Sequence, residues 1–337
     1  MIGDADFGTA APERPALAVV PQREGAAPPA GLTEFFRFRF GSTATQQPDD
    51  PVFPLFIERL GDAPLDEVWY TGGQVTGGQW AGIRFVESGC YLAAHLRFDL
   101  SDAHRIDEVA CQAYRRLLDL VRRRGYPNLL RVWNLFPGIN AGDGDLERYR
   151  QFSLGRAHAL DALGYRDRKL PAGTAIGTDP GTPLTVSLLA GALQSRAVEN
   201  PRQTSAYRYP RQFGPRSPSF SRAVMLKLDG SHRLLISGTA SIVGYESRHD
   251  SVERQIRETF CNIEALVAHA AAQANCAATG LIDGDACFRL YLRRREDLPA
   301  AEAALSTHFA ARKQIVFLRG DICRRELMLE VEGACGF

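Results

Sequence analysis

An α+β fold made of two diverged copies of one unit is what this sequence predicts, and three observations carry the prediction. The 337 residues exceed what one ordinary core holds and suit two domains of about 100–200 residues each. Two long segments repeat one grammar: strand, strand, long amphipathic helix, strand. No run of about twenty apolar residues is present to span a bilayer, so the apolar faces of these elements must cover one another.

The elements follow in chain order. Residues 1–32 are rich in Pro and Ala, with no basic start and no long apolar run, and are expected as a disordered tail and not a signal peptide. The chain is accordingly expected to be cytoplasmic. The first unit is placed at 33–178. In it WAGIRFVES and CYLAAHLRF read as strands, and IDEVACQAYRRLLDLVRRRG sets Ile106, Val109, Ala113, Leu117 and Leu120 at helical spacing before Gly125, a natural left-handed stop. NLLRVWNLF follows as a strand. The Gly-, Pro- and Thr-rich stretch GYRDRKLPAGTAIGTDPGTPLT marks the boundary.

The second unit, 179–337, repeats the pattern. RAVMLKL and RLLISGTAS are strands, and SVERQIRETFCNIEALVAHAAAQ puts Val252, Ile256, Phe260, Ile263 and Val267 on one face, with Asp250 and Glu253 spaced as a capping box. CFRLYL and QIVFLRG are further strands. In the closing ELMLEVEGACGF, Leu327, Leu329 and Val331 alternate with Glu326, Met328, Glu330 and Glu332. One face is core and the other carries carboxylates, which ordinarily means a solvated face.

Composition excludes several classes. Lys+Arg 40 against Asp+Glu 39 leaves no basic excess to hold a nucleic acid through counterion release. The seven cysteines are scattered, with neither a C-x-x-C pair nor a His at ligand spacing, so no zinc site and no disulfide framework is indicated. GGQVTGGQWAG lacks the Lys-Ser/Thr of a phosphate loop. No metal and no cofactor is expected.

What remains is a set of arginines. SAYRYPRQFGPRSPSFSRA carries Arg208, Arg211, Arg216 and Arg222, and no Asp or Glu occurs from Asn200 to Leu228. Pro210, Pro215 and Pro218 forbid a regular helix there and stiffen the loop, which lowers the ordering cost of a binding site. In ERYRQFSLGRAHAL, Tyr149 and Arg156 are two helical turns apart and share a side. A guanidinium fork suits a carboxylate, but a core Tyr149 and an Arg156 paired with Asp161 satisfy the same spacing. For acid-base work the chain offers His249 or Glu330, between which the residues alone do not choose.

Together SAYRYPRQFGPRSPSFSRA, LLISGTASIVGYES, QIRETFCNIEAL and GDICRRELMLEVEG, with WNLFPGIN and ERYRQFSLGRAHAL upstream, resemble the chorismatase family from about residue 35 onward. The resemblance implies a fused pair of RidA (YjgF)-like units, by analogy monomeric, that consumes chorismate without a cofactor and releases pyruvate. It implies that Tyr149, Arg156, Tyr209 and Arg222 contact substrate and that Glu330 is the catalytic acid. Cys323, in GDICRR, resembles the type that forms 3-hydroxybenzoate; Ala240, in SGTAS, resembles it less. The expectation is 3-hydroxybenzoate, with 4-hydroxybenzoate open beside it. The alternatives are hydrolysis to a dihydrodiol acid and a noncatalytic RidA-like metabolite-binding protein.

Overall fold

In TEFFRFRF, phenylalanines alternate with arginines, and strand periodicity turns that alternation into two faces. Phe36, Phe38 and Phe40 are buried, while Arg37 and Arg39 reach back to Asp66 at 2.8 and 2.9 Å. This strand belongs to the first of three large sheets in the computed structural model, which describes residues 16–22, 27–41, 51–62, 64, 66–101, 105–276, 286–306 and 315–337. The sheet contains β1 (Leu17–Gln22), β2 (Thr33–Phe40), β3 (Val52–Leu55) and, after the two-residue β4 (Glu58–Arg59), β5 (Asp66–Thr71), in the order β1-β5-β2-β3. The tail expected over 1–32 is therefore corrected. Leu17 and Val19 are buried and β1 pairs along its length with β5, a short alternation hidden by the Pro/Ala-rich composition around it; residues 1–15 and 23–26 lie outside the described residues.

The second sheet takes β6 (Thr76–Trp80), β7 (Ile83–Ser88), β8 (Tyr91–Phe98), β9 (Asn128–Pro137), β10 (Ala172–Thr178) and β11 (Leu184–Gly191), in the order β10-β9-β11-β8-β7-β6. Helices α1 (Ile106–Arg123) and α2 (Arg148–Ala162) pack with it around a shared core. The helix expected before Gly125 ends as predicted: Gly125 has φ +82° and Tyr126 N–H closes on Val121 O at 3.0 Å.

The third sheet takes β12 (Ser195–Val198), β13 (Ala223–Lys227), β14 (His232–Thr239), β17 (Cys287–Leu292), β18 (Ile315–Arg319) and β19 (Leu329–Gly336), with the small hairpin of β15 (Ile242–Val243) and β16 (Glu246–Ser247) beside it. Its order is β12-β13-β14-β19-β17-β18-β4, and its core is shared with α3 (Val252–Gln273) and α4 (Leu298–Ser306). Inside the short edge strand β4, the order β18-β17-β19-β14-β13-β12 repeats the second sheet strand for strand, including one parallel pair, β17/β18 matching β9/β10. The duplication expected from sequence is thus present as topology, and the fold is α+β. The α3 cap is displaced by one residue: Ser251, not Asp250, accepts from the Arg254 amide, and Asp250 instead pairs with the Arg254 side chain at 2.6 Å.

The expected boundary at 178/179 is also corrected. Strand β11 lies between β8 and β9 in the second sheet, so the chain leaves that sheet only after Gly191. The Gly/Pro/Thr run that looked like a linker holds the whole of β10 and then a turn to β11, with Thr182 N–H on Asp179 O at 3.2 Å. The three sheets face a common core to which Phe36, Trp69, Trp133, Leu189, Leu235 and Val316 all belong.

Candidate active site

The second and third sheets meet where β10 runs beside β14. Gly173 N–H donates to Ser237 Oγ at 2.8 Å and Gly238 N–H to Thr174 Oγ1 at 3.0 Å. A cavity of about 230 Å³ opens at this seam. It is walled by α2, β10, the proline-stiffened loop before β13, the end of β14, the turn before β19, and β19 itself.

Helix α2 is brought in by a glycine. A Cβ on Gly155 would stand 1.9 Å from Asp107 O, so only glycine lets α2 lie this close to α1. Phe152 stacks on Phe136 at 4.6 Å and fixes its rotation. Tyr149 and Arg156 then both face the cavity. Arg156 is 2% exposed, and its Nε and Nη2 find no hydrogen-bond partner among the described residues. The alternative pairing with Asp161 does not occur: Asp161 is held by Arg216 and Arg166. Burial pushes the Tyr149 phenol well above its ordinary range.

The loop before β13 is built of two 3₁₀ turns, Ala206–Arg208 and Arg211–Phe213. Its arginines divide by task. Arg211 donates to Asp145 at 2.8 Å and Arg216 pairs with Asp161, tying the loop to the first half, while Arg208 lies over the Tyr207 ring. Arg222 is buried beneath the cavity: Nη2 donates to Tyr209 Oη and to Thr204 O, each at 2.7 Å, and Nε is unpartnered among the described residues. Arg324 covers Phe213 at 4.2 Å and Tyr209 at 5.3 Å, closing the same wall.

Strand β19 carries Glu330, the acid expected from sequence. Leu329 and Val331 face α3 as expected, but the carboxylate face is not solvated: Glu330 is 5% exposed and Glu332 1%. Glu330 lines the cavity. Its burial, and next the negative charge of Glu332, push its carboxyl up to about 8, against the pull of Arg131 and Arg222. It is therefore a neutral acid at pH 7. Cys323 and Ala240 also line the cavity, and burial together with Glu330 pushes the Cys323 thiol up to about 12, so it is not a thiolate. His249 lies outside, on Glu258 at 3.2 Å. All seven site residues expected from sequence, Tyr149, Arg156, Tyr209, Arg222, Ala240, Cys323 and Glu330, thus line one cavity.

Sequence reasoning missed Thr174, Gly238, Phe213, Phe220 and Arg324, which line it too. Gly238 did leave a signal, a glycine inside a strand, which marks a close approach. The others show nothing until the chain is folded.

Known proteins resemble this chain in sequence and fold. A family model described as "Chorismatase FkbO/Hyg5-like, N-terminal" matches residues 67–190. The chain is 33% identical to a 3-hydroxybenzoate synthase of Streptomyces hygroscopicus over 80% of this chain and 81% of the relative. It is 34% identical to a chorismatase of Streptomyces rapamycinicus over 81% and 82%. A chorismatase crystal structure superposes with a TM-score of 0.84 at 29% identity, covering 97% of this chain and all of the other.

Proposed function

The chain belongs to the chorismatase family, and from that premise we propose that it converts chorismate to 3-hydroxybenzoate and pyruvate with Glu330 as the acid. The observation that carries the proposal is a neutral, buried carboxyl in a cavity that also holds Arg156 and Arg222. Chorismate has one carboxylate on the ring and one on the enolpyruvyl arm. Two guanidinium forks from separate segments can hold both ends, with Tyr149 and Tyr209 orienting them.

Glu330 then gives its proton to the terminal methylene carbon, and positive charge develops on the enol-ether carbon. Water adds to that carbon, and as the pyruvyl C–O bond breaks one of its protons passes to the departing ring oxygen and the other returns to Glu330, releasing pyruvate and a ring 3-hydroxyl; loss of the 4-hydroxyl with the carbon-3 hydrogen as water then aromatises the ring to 3-hydroxybenzoate. Forming a hydroxybenzoate consumes no net water, whereas the dihydrodiol consumes one. As a neutral thiol, Cys323 bounds the ring and offers a weak donor; together with Ala240 it is the proposed determinant of product.

Anaerobic incubation with chorismate followed by chromatography is the test, with 3-hydroxybenzoate and equimolar pyruvate expected. A dihydrodiol product overturns the aromatising assignment, and chorismate recovered intact overturns catalysis in favour of metabolite binding. Glu330→Gln is expected to bind chorismate and lose turnover. The monomer expected by analogy with fused RidA-like units is checked by sedimentation at working concentration.

A further inference from the structure

Opposite the acid, the ladder between β14 and β19 breaks. Ile236 faces Gly333 and Thr239 faces Val331, so Ser237 and Gly238 together stand against Glu332, a β-bulge of the kind that re-aims side chains near sites. The bulge leaves room for the carboxyl: a Cβ on Gly238 would lie 2.0 Å from Glu330 Oε1. Thr174 pins it from the other sheet. Its Oγ1 accepts from Gly238 N–H at 3.0 Å and from Arg131 Nη2 at 2.6 Å, and donates to Glu332. Glu332 lies on the same face of β19 as Glu330 but does not line the cavity; Arg131, Arg289 and Tyr291 hold it instead.

Resting on the reading of Glu330 as the acid, we infer that this bulge positions Glu330, and that Glu332, two residues along the same face of β19, acts on it through space as a positioning residue by its negative charge. The other charged and titratable groups facing Glu330 are Arg131 from β9 and Arg222 from the loop, which oppose that effect, with Cys323 from the turn and Tyr149 from α2, both neutral. Among these, Glu332 is the charge that favours the protonated form most. Removing it also leaves Arg131 uncompensated, which acts in the same direction.

The test is the pH dependence of kcat and KM for chorismate consumption. In Glu332→Gln the alkaline limb of kcat should move toward acid by about one pH unit or more, with KM at the acid end little changed. Glu332→Asp, which keeps the charge while lengthening its contacts, should keep the limb at the wild-type pH whatever it does to the rate. A folded Glu332→Gln enzyme with an unmoved limb overturns the inference, as does a limb that moves equally in both variants. Should Glu332→Gln fail to fold, Gly238→Ala carries the test: displacement of the carboxyl should lower kcat about 100-fold while calorimetry still detects chorismate binding. Wild-type kcat in Gly238→Ala overturns the inference. Full turnover in Glu330→Gln would instead remove the acid itself, a failure distinct from an unmoved limb in Glu332→Gln when Glu330→Gln is inactive.

Discussion

Arg156 and Arg222 both line the cavity and both carry N–H groups without a partner among the described residues, yet they are not equivalent. Arg222 also holds Tyr209 Oη and Thr204 O, so it organises the loop as well as facing the ligand. Replacing either by Lys removes the planar fork, worth about 1.5–3 kcal/mol when a carboxylate is bound, and is expected to raise KM about 10- to 100-fold. Arg222→Lys should in addition lower the melting temperature, and Arg156→Lys should lower it less; calorimetric unfolding beside steady-state kinetics separates them. For Glu330 the sign is fixed by its raised carboxyl: protonated below about 8 and ionised above. Turnover should fall as pH rises through about 8. Between its ordinary value near 4.5 and about 8 the native state retains a proton that the unfolded chain has lost, so Glu330 makes stability decline with rising pH across that window. At this scale the seven residues that line the cavity were legible through the family motifs that carry them, because side-chain chemistry alone left Arg156 open to pairing with Asp161 and the acid open between His249 and Glu330. Glu332 and Thr174 were not, since their contacts join strands far apart in sequence, and Gly238 showed only as a glycine inside a strand.

Among the elements, α2 shows why helical spacing alone was insufficient. The sequence put Tyr149 and Arg156 on one side but did not say which side faced a cavity, because the buried face of α2 is broad and mixes apolar Phe152, Ala157, Ala159 and Leu160 with polar Ser153 and Arg156. Gly155 settles the placement through its contact with the Asp107 carbonyl. In Gly155→Ala the added methyl must push α2 from α1, at an overpacking cost of about 1–3 kcal/mol, and it moves Tyr149 and Arg156 with the helix. The expected outcome is a lower melting temperature together with a raised KM, measured on the same preparation; a variant with both unchanged would contradict this account of α2. Strands and long helices with one apolar face, such as α1 and α3, were readable directly. The edge strand β1 was masked by its surroundings, and β11 was cut off from its sheet by a turn that resembled a linker.

In the whole molecule, three sheets converge on one buried ion cluster. Glu67 comes from the first sheet, Arg131 from the second, and Arg289, Tyr291 and Glu332 from the third. Arg289 donates to Glu67 at 2.7 and 2.6 Å and to Glu332 at 3.2 Å, while its guanidinium lies 4.5 Å over the Phe38 ring. A charge inside each of two apolar strands, NLLRVWNLF and CFRLYL, was the sequence trace of this centre; its partners were not visible because they lie 201 and 222 residues away. Removing Arg289 alone strands the Glu67 carboxylate, leaving chiefly Trp69 Nε1 at 2.9 Å to satisfy it. Breaking a buried pair on one side typically costs about 3–5 kcal/mol, whereas replacing both partners is often close to neutral. Arg289→Met should therefore lose about that much unfolding free energy in denaturant titration. Adding Glu67→Gln should recover more than half of the loss, because the uncompensated charge is gone while the surrounding aromatic core remains. If the double variant is no more stable than Arg289→Met, the penalty comes from lost packing around the guanidinium, and the cluster's charge balance is not what joins the three sheets.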